Sequence, residues 1–147
     1  DPLIRHELQE ELLRLQKIVR KTILFITHDF DEAIRLANRI IIMEEGRIVQ
    51  IGTPEEIVLN PKDQHIANFT KNVRRATVIT AGSLAMPHPG MDGIGVTVPR
   101  DTKIIDAAPQ VLASPDPIGV VDDSGQLMGV LPREEIINLV LERPAAA

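Results

Sequence analysis

A chain of 147 residues has room for one ordinary domain or two small ones, and a 44% hydrophobic content is enough to bury a core, which argues against global disorder. A net charge of -5, with three Phe and no Trp or Tyr, offers neither the basic face nor the stacking platforms that a nucleic-acid partner needs. The lack of Cys removes disulfides, thiolate catalysis and cysteine-ligated zinc, and His6, His28, His65 and His88 include no i, i+4 pair to seat a metal, so no metal site is expected.

In chain order, residues 4–20 place Leu8, Leu12, Leu13, Leu15, Ile18 and Val19 among charged side chains near a 3.6-residue period, which predicts an amphipathic helix. The short apolar run 23–27 predicts a buried strand. It ends at His28, and Asp29 is placed to cap a helix running to about residue 37, with Glu32 reaching back to close a capping box. Runs 39–43 and 47–51, separated by Glu44-Glu45-Gly46, predict a hairpin. Thr53-Pro54-Glu55-Glu56 is a helix start, Asn60-Pro61 a break, and residues 64–72 a further helix. Residues 74–95, rich in Pro, Gly and small side chains, predict a linker. After it come a strand at 96–98, a helix at 102–112, strands at 118–121 and 127–131 around the Asp122-Asp123-Ser124-Gly125 turn, and a closing helix at 133–142. The last residues, 144–147, read as a tail.

An imidazole at the carboxyl end of an apolar strand, followed by a capped helix, stands where open α/β sheets place chemistry on a ligand. Such a group can donate a hydrogen bond to a phosphate oxygen. Asp1-Pro2-Leu3-Ile4-Arg5 resembles the end of the Ser-Ala-Leu-Asp-Pro-Leu-Ile-Arg run of the ATPase subunits of ABC importers for glycine betaine, proline and related osmoprotectants. Thr27-His28-Asp29-Phe30-Asp31-Glu32-Ala33 is similar to that family's Ser/Thr-His-Asp-x-x-Glu-Ala, and 46–57 to its hairpin and following helix. The resemblance covers about residues 1–70. It implies that Asp1 is the D-loop aspartate at the nucleotide and dimer interface. It also implies that His28 is the switch histidine sensing the γ-phosphate, while Asp29, Asp31 and Glu32 are structural. The phosphate-cradling Gly-rich loop with Lys and Ser/Thr, the Walker B carboxylates and the Leu-Ser-Gly-Gly-Gln signature do not occur in this sequence.

Residues 96–143 resemble a cystathionine-β-synthase (CBS) motif, through Val98-Pro99-Arg100-Asp101-Thr102 and Ile118-Gly119-Val120-Val121-Asp122-Asp123-Ser124-Gly125 with Gly129 beyond. CBS motifs often bind adenosine nucleotides through a hydroxyl and an Asp after the last strand. Here Pro132 stands in place of the hydroxyl and can donate neither from a side chain nor from an N–H. Glu135 stands in place of the Asp, so Arg133 and Glu135 are the candidate regulatory-ligand contacts. CBS motifs work in pairs, which implies CBS–CBS pairing, with 74–95 a linker or an eroded remnant of another copy. Lys71, Arg74 and Arg75 beside it are fewer than the basic clusters that bind anionic lipid well.

The expected architecture is thus α/β. The C-terminal part of an ABC ATPase nucleotide-binding domain (1–73) is followed by 74–95, by a small α+β CBS-like β-α-β-β-α unit (96–143) and by the tail 144–147. The resemblance implies a parent enzyme that hydrolyses ATP with Mg2+ to drive uptake of a glycine betaine, proline or choline-type solute. It also implies a second ATPase subunit in a homodimer, transmembrane permease subunits and, indirectly, a substrate-binding protein. The chain would lie in the cytoplasm, peripheral to the inner face of the membrane. Alone it is expected neither to hydrolyse ATP nor to hold a cofactor. Its start at a residue other than Met suggests a fragment or processed product. The alternative is a stand-alone CBS-containing regulatory or interaction protein that binds an adenine or cyclic dinucleotide.

Overall fold

The structure, a computed structural model, describes residues 2–90 and 92–142. It divides into two compact units, Asp1–Pro54 and Glu55–Ala147.

In the first unit, helix α1 (Pro2–Val19) ends where Arg20 turns to a positive φ of 51°, its N–H returning to the Gln16 carbonyl at 2.9 Å. Helix α2 (Phe30–Leu36) starts at Asp29, whose carboxylate accepts from the Glu32 N–H at 3.1 Å. The hairpin pairs β1 (Ile40–Glu44) with β2 (Arg47–Gly52). Its two-residue loop, Glu45-Gly46, has positive φ at both positions, the backbone twist that suits flanking antiparallel strands.

Residues 23–27 form no strand. Leu24 is 82% exposed and Ile26 87%. A buried strand is held by ladder bonds from neighbours and by covered faces. In this unit the β1–β2 hairpin is the one sheet among the described residues, and its pairing leaves 23–27 without a ladder.

The second unit opens with α3 (Pro54–Leu59) and α4 (Gln64–Thr70), the latter capped by Asp63, which accepts from the Ile66 N–H at 2.9 Å. A 3₁₀ turn (Arg75–Thr77) and the short α5 (Ala81–Leu84) follow. Strand β3 (Val96–Pro99), α6 (Ile104–Ala113), β4 (Ile118–Val121), β5 (Leu127–Val130) and α7 (Arg133–Leu141) complete it. The sheet order is β3-β4-β5, with β3 parallel and β5 antiparallel to β4. The chain is mixed α/β, and the β-α-β-β-α order expected of its last third is the order found. Ile104, Ala107 and Val111 of α6, Ile136 of α7 and Val98 and Val120 of the sheet are all buried.

Compactness divides the chain at Pro54/Glu55. The cause is local. Ile57 of α3 and Ile66 of α4 are buried, and the Glu55 carboxylate accepts from the Thr80 N–H at 3.3 Å and its hydroxyl at 3.2 Å. Residues 74–95 pack within the same unit. Ala76, Val78, Ile79 and Ala81 are buried, and the Met86 backbone exchanges hydrogen bonds with Val130 at 2.9 and 2.8 Å, covering the outer edge of β5.

Candidate functional site

His28 sits at a bend between 23–27 and α2, exposed to solvent. What holds the bend is a polar cluster from both helices of the first unit. The Thr27 hydroxyl donates to the Glu32 carboxylate at 2.6 Å and accepts the Asp29 N–H at 3.0 Å, so one side chain spans His28 on either side. Glu32, which is buried, also accepts from Gln9 Nε2 at 2.9 Å and from Arg5 at 3.3 and 3.4 Å. Arg5 reaches Asp29 as well, at 3.4 Å. The cluster therefore ties the first turns of α1 to the loop carrying His28. Further along, Arg35 of α2 bonds Glu10 and the His6 ring of α1, and Gln16 donates to Asn38 at 3.0 Å.

The expected capping box is half formed. Asp29 caps α2, but the Glu32 carboxylate turns away from the Asp29 N–H, which Thr27 takes instead. Glu32 prefers the stronger set, a hydroxyl, an amide and a guanidinium, over one backbone N–H. The Thr27 and Gln9 hydrogen bonds hold its carboxyl below the usual carboxylate range, against the opposing effect of burial and with help from Arg5. Asp31 is exposed in the first turn of α2. Arg5 and Thr27 lie within the two stretches that carry the family resemblance, but nothing local in the sequence shows that they and Gln9 converge on Glu32.

Asp1 lies outside the described residues. In the second unit, Arg133 is committed to the structure. Its guanidinium donates to the Ser114 and Leu112 carbonyls at 2.6 and 3.0 Å and so satisfies the last turn of α6. That is a helix-end clamp at the residue the sequence offered as a ligand contact. Glu135 is exposed in the first turn of α7, and Pro132 precedes that helix. Arg74 and Arg75 likewise reach the end of α7, at the Val140 carbonyl and Glu142. Between β4 and β5, Asp122 Oδ1 accepts from the Ser124 N–H, the Ser124 hydroxyl and the Gln126 N–H, and Gly125 supplies a positive φ of 82°. Led by the Ser124 bond, these donors lower the Asp122 pKa.

Among the described residues no cluster of three or more His, Asp or Glu is placed to hold a metal ion, and no helix is long and apolar enough to cross a membrane. The residues present do not by themselves fit a nucleotide. They supply one exposed imidazole, and no Gly-rich cradle or phosphate-binding Lys occurs in the sequence.

No family model matches the chain. It is 43% identical over 142 residues to the trimethylamine N-oxide transport system ATP-binding protein TmoW of Ruegeria pomeroyi, a match covering 97% of this chain and 41% of that protein. The glycine betaine/carnitine/choline transport ATP-binding protein OpuCA of Bacillus subtilis is 39% identical over 92% of this chain and 36% of its own length. OpuAA, the glycine betaine transport ATP-binding protein of the same organism, is 54% identical over 57% of this chain and 20% of its own length. Among solved structures, the cystathionine β-synthase pair domain of SO5017 from Shewanella oneidensis aligns at a TM-score of 0.28 and 17% identity, over 88% of this chain and 58% of that one, a likeness too loose to bear on function. The chain spans about two-fifths of TmoW's length and matches the C-terminal part of these relatives. The relatives that the chain matches, over their C-terminal part, are ATP-binding subunits of ABC transporters named for glycine betaine, choline and trimethylamine N-oxide.

Proposed function

We propose that this chain is the C-terminal part of an ATP-binding subunit that energises uptake of a small betaine-, choline- or amine-oxide-type solute. The observation that carries the reading is the TmoW match, which runs through 97% of the chain without stopping at either compact unit. In the complete subunit, ATP and Mg2+ would be held by residues outside this sequence, and bound ATP supplies the anhydride whose cleavage drives transport. His28 would donate to the terminal phosphate, and Asp1 would stand at the interface with a second ATP-binding subunit. The assembly would dock on permease subunits at the inner face of the membrane and take solute from a binding protein. The β3–α7 unit would act as a CBS-type regulatory motif, paired with another copy. Its exposed Glu135, and the N–H groups of Arg133 not engaged by the end of α6, would be the contacts for a regulatory ligand.

The test is ATP turnover by the complete subunit, wild type against His28→Ala. Loss of one preorganised donor to the transferring group predicts a fall in kcat of about 100-fold or more, with the nucleotide Kd changed by no more than a few-fold. Wild-type turnover in the variant would overturn the assignment of His28. A native polypeptide of only 147 residues in its source cells would overturn the subunit reading itself.

A further inference from the structure

The geometry points to a brace made of Arg5, Gln9 and Thr27 around the Glu32 carboxylate, which fixes the 27–29 bend and so sets the direction in which the His28 imidazole is presented. This rests on the reading of His28 as a phosphate donor. Glu32, Thr27 and Arg5 are positioning residues, since none of them need touch the nucleotide.

Three observations converge. First, among the described residues no ladder of hydrogen bonds pairs 23–27. Second, the backbone on both sides of His28 is held by one hydroxyl, which donates forward to Glu32 at 2.6 Å and accepts the Asp29 N–H at 3.0 Å. Third, the acceptor of that hydroxyl is buried and saturated, with Gln9 at 2.9 Å and Arg5 at 3.3 Å fixing its orientation from α1. Arg5 lies four residues after Asp1 in the sequence. The same guanidinium that orients Glu32 thus belongs to the segment following the proposed interface aspartate, and it also bridges to Asp29. A shift of α1 would be passed to His28 through two side-chain contacts, Arg5 to Glu32 and Glu32 to Thr27. A donor aimed at a developing charge loses its effect within about an ångström of displacement, so the brace acts on turnover and not on ground-state binding.

The test has two readouts. In the full 147-residue chain, amide exchange of Asp29 is followed in wild type, Thr27→Val, Thr27→Ser and Glu32→Ala. Thr27→Val is expected to speed exchange about five- to tenfold, the ratio that loss of one hydrogen bond gives, and Thr27→Ser to stay within about twofold of wild type. In the complete subunit, Thr27→Val and Glu32→Ala are expected to lower kcat about tenfold with the KM for ATP within about twofold, and Thr27→Ser to restore kcat. A purely structural role would move KM and protein yield together with kcat. If Thr27→Val leaves both Asp29 exchange and kcat at wild-type values while His28→Ala abolishes turnover, the brace is wrong and the His28 reading survives. If His28→Ala itself retains turnover, the reading beneath the brace falls, even where the exchange data follow the expected order.

Discussion

Gly129 shows how much one side chain can decide. A Cβ built there would lie 2.2 Å from the Met86 carbonyl oxygen, a backbone atom that cannot step aside, because Met86 and Val130 are joined by two hydrogen bonds. Gly129→Ala is therefore expected to destabilise the second unit by about 1–3 kcal/mol, read as a lower urea midpoint. Asp122 and Glu32 make a matched pair of acid-sensitive residues, one in each unit. Both have folded pKa values below the ordinary carboxylate value. Each then contributes stability that is present above about pH 4 and is lost as the pH falls through its folded pKa. In Asp122→Asn the side-chain oxygen still accepts from Ser124 and Gln126 but no longer titrates. Its thermal midpoint is expected to fall less than that of wild type between pH 5 and pH 3. An equal fall would mean that the turn is not a source of the acid sensitivity. The Asp-Asp-Ser-Gly turn is legible in the sequence because its chemistry is local, whereas two of the donors that orient Glu32, Gln9 and Arg5, stand more than twenty residues away.

Among the elements, α6 and α7 carry the core of the second unit. Their contact is sealed at one end by Arg133 on the α6 carbonyls and in the middle by Ile136, which is fully buried. Ile136→Ala is expected to cost about 2–5 kcal/mol, checked by denaturant unfolding of the same chain. At α4, loss of the Asp63 cap in Asp63→Ala is expected to cost about 1 kcal/mol by the same measurement. Helices and hairpin are readable because their signals lie within a turn or two: Asp29 before a helix start, Glu45-Gly46 between two apolar runs, Pro54 at a first helical position. The element misread was the apolar run 23–27. Composition can ask for a buried strand, but only neighbouring strands can supply its ladder, and these are not provided by β1 or β2.

At the scale of the whole molecule, the two units differ in how they are held. The first joins α1 to α2 largely through polar contacts and leaves Leu8, Ile18, Leu24 and Ile26 exposed. The second buries apolar side chains from Ile57 to Ile136. Native-state amide exchange is therefore expected to be slowest in β4, α6 and α7 and markedly faster through α1 and α2. Uniform protection across both would contradict this difference in packing. The sequence by itself determined the resemblance to these ATP-binding subunits, the secondary elements with local signals and the Asp122 turn, because each is written in contiguous residues. Tertiary structure alone decided that the compact second unit begins at Glu55, that 74–95 packs within that unit, that Arg133 clamps α6, and that Glu32 faces α1. These depend on which distant side chains meet, and contacts between residues far apart in the chain leave no periodic mark in it.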